Sequence, residues 1–120
     1  MLDDREISSA KYSDIVDLYD RKEFESIIEK IKCLEEDKFE DPFLLNLLGA
    51  TYLKLNDKKN AKLYFSHAIA LEPNHREAII NLANLEYKAK SYQNAFDYYA
   101  KLTKNGTAEP TILGYMGKCL

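Results

Sequence analysis

Residues 42–75 read PFLLNLLGATYLKLNDKKNAKLYFSHAIALEPNH. Leu44, Leu45, Leu48, Tyr52 and Leu55 recur at three- and four-residue intervals, and Ala61, Leu63, Phe65, Ala68, Ile69 and Leu71 do so more loosely. That spacing puts apolar side chains on one face of a helix. Asp41-Pro42 offers an N-cap carboxylate and a proline in the first turn, where its missing N–H costs nothing. Asn56-Asp57 interrupts the pattern, because Asn tolerates a left-handed C-cap and Asp can cap the helix that follows. Pro73 ends the second helix. The stretch therefore predicts two antiparallel helices, 43–55 and 58–71, joined by a tight turn. Gly49, Ala61 and Ala68 are small where the two axes must approach, and Tyr52 and Phe65 fill the flanking gaps.

Leu45, Leu48-Gly49, Tyr52, Ala61, Phe65, Ala68 and Pro73, at these spacings, resemble the tetratricopeptide repeat, with Leu45 in the place of the family's leading tryptophan. The resemblance covers a complete 34-residue unit. It implies an all-α fold: a right-handed superhelix (an α-solenoid) of antiparallel helix pairs, with about three units and one terminal helix.

The same frame extends in both directions. Residues 1–7 read as a flexible leader and 8–120 as one repeat domain. In the divergent unit 8–41, Ile15, Leu18 and Tyr19 form one stripe and Phe24, Ile27, Ile28, Ile31 and Leu34 another. Asp20-Arg21-Lys22-Glu23 stands at the turn, Ile27 replaces the small alanine, and Phe39 falls where proline would close the unit. In the unit 76–109, Ile79, Leu82-Ala83, Ala95, Tyr99 and Leu102 fall in frame. There Glu86 occupies the aromatic position, and Asn105-Gly106 supplies the stop that Thr107 does not. A partial fourth unit, 110–120, repeats Pro42 at Pro110 and Leu48-Gly49 at Met116-Gly117. It reads either as a terminal helix covering the last apolar face or as part of a longer protein cut inside a repeat. Gly114 and Gly117 make a weak lone helix and favour the second reading. The expected helices are 8–20, 24–36, 43–55, 58–71, 76–89, 92–104 and 109–119.

Composition narrows the function. The chain has 120 residues, 46% of them hydrophobic and 31% charged, and a net charge of −3, values of an ordinary globular domain. Residues 1–41 hold 7 basic and 14 acidic side chains, and residues 42–120 hold 10 and 6. Neither part has the basic excess of a nucleic-acid binder. No run approaches the length of a membrane span, and no secretory signal is apparent. Cys33 and Cys119 lack metal or redox spacing, and are expected as reduced thiols in a cytoplasmic setting.

No catalytic, cofactor-binding or metal-binding constellation can be assembled. His67 and His75 stand eight residues apart, without the spacing of a metal site. His67 is expected at the surface and His75 at the junction between units. No phosphate loop, nucleophile elbow or dinucleotide fingerprint occurs. The resemblance instead implies non-catalytic protein–protein interaction, with first helices lining a concave groove that grips an extended peptide or a helix. Side chains expected there are Tyr12, Val16 and Tyr19 in the first unit. In the second they are Phe43, Asn46, Ala50, Leu53 and Lys54, and in the third Glu77, Ile80, Asn84, Tyr87 and Lys88. Asn46 and Asn84 would bond a partner's backbone, while Tyr19, Phe43 and Tyr87 offer flat apolar contact.

One kind of partner is argued against. Chaperone cofactors of the family clamp a C-terminal carboxylate with Lys and Asn side chains on three successive first helices. Counted from the first unit, those places hold Tyr12, Val16, Leu47, Glu77 and Asn81, and none carries the expected residue type at its place. Counted one unit later they hold Asn46, Ala50, Asn81, Thr111 and Tyr115, where only Asn81 fits. A carboxylate needs positive donors, and Glu77 would repel it. Two alternatives stand beside the groove reading. One is an N-terminal docking or targeting module of a longer enzyme, such as a glycosyl- or sulfotransferase. The other is a self-association element, with a homodimer formed through the apolar surface of the terminal helix.

Overall fold

A computed structural model describes residues 12–33, 41–103 and 110–119. Among the described residues every regular element is a helix: α1 (Ser13–Asp20), α2 (Phe24–Lys32), α3 (Pro42–Lys54), α4 (Lys58–Leu71), α5 (Arg76–Lys88), α6 (Tyr92–Thr103) and α7 (Pro110–Lys118). Each packs on the next in the chain, and α3 also meets α5. Two expected boundaries change by more than one residue. Tyr12 is a turn residue at the N-cap of α1, so within the described residues that helix starts at Ser13. Cys33 caps α2, which ends at Lys32 and not at 36. Residues 8–11 and 34–36, which the sequence also assigns to these helices, lie outside the described residues.

The turn inside each pair recurs with a period of 34 residues. Lys22, Asn56 and Lys90 have φ of 63°, 63° and 65°, the left-handed region. Behind each, two N–H groups reach back to the last carbonyls of the first helix. Asn56 N–H donates to Leu53 C=O at 3.0 Å and Asp57 N–H to Tyr52 C=O at 2.8 Å. Lys22 and Glu23 repeat this onto Tyr19 and Leu18, and Lys90 and Ser91 onto Tyr87 and Glu86. These bonds satisfy carbonyls that a helix end otherwise leaves without partners. The main chain thus carries the repeat even where side chains diverge.

N-caps at α3, α4 and α5 set the entry of each helix. Asp41 accepts from Phe43 N–H at 3.0 Å, and Asp57 accepts from Asn60 N–H at 3.2 Å. At α5 the cap is His75, whose Nδ1 accepts from Ala78 N–H at 3.2 Å. His67 is exposed on α4, as the sequence predicts.

The core runs along the stack. Tyr12, Ile15, Ile27, Ile31, Leu44 and Leu48 form one buried cluster that joins the first two pairs. Ala61 and Phe65 join Leu82 and Leu85, while Ile79, Ala83, Ala95, Tyr99 and Leu102 close the third pair. Gly49 is needed where α3 crosses α4. A Cβ there would lie 2.7 Å from two ring carbons of Phe65, which is fully buried, and 3.2 Å from the Ala61 carbonyl. No buried side-chain polar atom among the described residues lacks a partner.

Candidate partner-binding face

The face expected to bind a partner is built from the first helix of each pair. On α3, Phe43, Asn46, Ala50 and Leu53 are half-buried and Lys54 is exposed. On α5, Glu77, Ile80, Asn84 and Tyr87 are half-buried and Lys88 is exposed. Half-burial is what positions on the open side of a packed helix show, with one flank on the core and one on water. On α1, Val16 and Tyr19 are also half-buried. Tyr12 differs: it is 5% exposed, stacks on Phe43 with ring centroids 6.1 Å apart, and donates its hydroxyl to Asp41 at 2.9 Å. The expectation of Tyr12 as an open contact is corrected, because its ring is core and its hydroxyl supports the cap of α3.

The two asparagines are more constrained than the sequence suggests. Asn81 Nδ2 donates to Asn46 Oδ1 at 3.0 Å, tying α5 to α3 across the face. Tyr99, fully buried on α6, donates its hydroxyl to Asn84 Oδ1. Each of Asn46 and Asn84 therefore has its oxygen engaged internally and keeps its amide N–H groups for another acceptor. Burial pushes the Tyr99 phenol up to about 12, so it remains a donor at any ordinary pH. Tyr87 packs edge-on against Tyr92, with centroids 5.3 Å apart.

The family model of the tetratricopeptide repeat matches residues 44–75, the stretch in which Gly49 meets Ala61 and Phe65. This stretch is a tetratricopeptide repeat. Repeats of this kind are protein-interaction modules and generally non-catalytic. No curated protein matches the chain.

Knowing the repeat, one departure from it becomes intelligible. In the matched repeat Tyr52 stacks on Tyr64, with centroids 5.4 Å apart and planes 3° off parallel. One period later the tyrosine is Glu86, 4% exposed. Lys62, on the preceding second helix, reaches it at 2.7 Å, and Asn94 donates at 3.4 Å. Burial pushes the Glu86 carboxyl up, but Lys62, Asn94 and Ser91 outweigh it and hold the carboxyl below its ordinary value. The same contact raises the Lys62 ammonium. The sequence shows the substitution but not its partner, since Lys62 lies in the neighbouring repeat. Asn81, the link between α3 and α5, likewise meets its partner, Asn46, in the neighbouring repeat.

Among the described residues no three His, Cys, Asp or Glu side chains are grouped to hold a metal ion. No described helix is long and apolar enough to cross a membrane.

Proposed function

We propose that the chain is a non-catalytic binding module that takes a peptide or helix of another protein along the face of α1, α3 and α5. The observation that carries this reading is the row of half-buried side chains, Phe43, Asn46, Ala50 and Leu53, continued by Ile80, Asn84 and Tyr87. Large rings and partly used amides on one side of a rigid stack supply apolar area and directional bonds together. The bond from Asn81 to Asn46 and that from Tyr99 to Asn84 hold the amides in place before any partner arrives, which lowers the ordering cost of binding.

Ala50→Arg, in the middle of this face, tests the reading. Affinity capture of partners should lose those held by the wild type, while Leu63→Ser on α4, where Leu63 is 59% exposed, should retain them. Partners held equally by Ala50→Arg, at an unchanged melting temperature, would show that they bind elsewhere.

A second reading, self-association through α7, is favoured by Leu113 and Tyr115, which are 50% and 38% exposed. Sedimentation across a wide concentration range tests it. A monomer throughout would remove it.

A further inference from the structure

Where α3 ends, α4 begins and α5 ends, the surface folds into a cleft of about 300 Å³. Leu53 and Leu85 give it apolar lining, and Lys58, Lys59, Lys62 and Lys88 stand around them. All four lysines are exposed. Glu86 is the one carboxylate in the lining, and Lys62 occupies it. Among the described residues, the ion pairs use neither Lys58, Lys59 nor Lys88. Three positive charges thus border an apolar depression without a counter-charge of their own.

We propose that this cleft docks an acidic segment of a partner protein. An apolar side chain of the segment sits on Leu53 and Leu85, and flanking carboxylates meet Lys58, Lys59 and Lys88. Charge complementarity selects this occupant: like charges crowded at one edge are relieved by an acidic guest, which they also steer toward the cleft. Lysine suits the task, because a flexible stem with three donors can follow carboxylates in more than one register. A nucleic acid would want stacking surfaces, and no aromatic residue lines the cleft. The cleft opens from the edge of the groove at Leu53, Asn84 and Lys88. The inference therefore deepens the groove reading and rests on it for the class of partner.

The probe is a short fluorescein-labelled peptide alternating glutamate with leucine, compared by anisotropy with a glutamine-for-glutamate version and a labelled single-stranded oligonucleotide. The glutamate peptide should bind, and the glutamine version should be weaker by about tenfold or more. Lys58→Glu/Lys59→Glu should lose a similar factor, and salt should weaken the wild-type complex. Both substituted residues are exposed, and circular dichroism melting confirms that the variant is folded. Equal binding of the two peptides, unchanged binding by the double variant, or tighter binding of the oligonucleotide would each overturn the proposal. Ala50→Arg run in parallel separates the two readings. If it captures partners normally while Lys58→Glu/Lys59→Glu loses the acidic peptide, the groove falls and the cleft stands. The converse pattern removes the cleft alone.

Discussion

The pairs α1–α2 and α3–α4 share a turn and differ in what fills the space behind it. Both reverse direction through a left-handed residue, Lys22 or Asn56, with the same two backward hydrogen bonds. Where α3 has Gly49 facing Ala61 and Phe65, α1 has Ile15 facing a stripe of Ile27 and Ile31, all buried. A small residue against small and aromatic ones is exchanged for three branched aliphatic ones. The lesson is that the main-chain turn carries the pairing. The side chains decide how closely two helices meet, and volume can be redistributed between them as long as the interior stays filled.

The largest effect is expected from emptying the first pair. Ile15→Ala removes a side chain that is 2% exposed, and should cost about 2–5 kcal/mol through the cavity it leaves. Chemical denaturation with circular dichroism measures it. Overfilling the equivalent place comes next. Gly49→Leu should cost about 1–3 kcal/mol, since even its Cβ meets the Phe65 ring. If Gly49→Leu proved neutral, the closeness of α3 and α4 would not matter as argued.

Between the second and third pairs the exchange is of another kind, a tyrosine stack for an ion pair. Lys62→Ala should cost about 1 kcal/mol, less than for a fully buried pair because Lys62 is 54% exposed on its side chain. The pH dependence has a definite sign. Since the Glu86 carboxyl is held below its ordinary value, its contribution is present above the unfolded carboxyl pKa and is lost as pH falls through the folded one. Glu86→Gln should therefore flatten the acid loss of stability below about pH 4, in thermal melts taken from neutral to acid.

The smallest effect sharpens the likeness of the turns. Lys90→Gly should stabilise by about 0.5 kcal/mol, because glycine reaches positive φ without the clash a Cβ introduces. Asn56→Gly should do less, because asparagine tolerates that region. Equal melting-temperature shifts would mean that the strain at Lys90 is relieved elsewhere.

Much of this fold was legible because its signals are local. Asp41-Pro42 and Asn56-Asp57 announce caps with their own side chains, and the periodicity of Leu44 to Leu71 lies within one pair. The left-handed Lys22 and Lys90 were not legible as such, since lysine has no preference for that region and is placed there by the helices it joins. The partner of Glu86 was hidden for a different reason. Lys62 lies 24 residues away, in a helix that only stacking brings near. The candidate face was readable as a set of positions, since first helices follow the frame. The use of the Asn46 and Asn84 oxygens, and the burial of Tyr12, depend on contacts between pairs that no single stretch displays.

Each helix packing on its neighbour in sequence has a consequence for how the chain comes apart. A stack coupled link by link has no central keystone, so damage travels only as far as the next interface allows. A fault introduced at Ile15 should loosen amide exchange protection in α1 and α2 first and leave α5 and α6 nearly untouched. Because almost all partners are near in the chain, assembly should be fast and can start wherever a pair first closes.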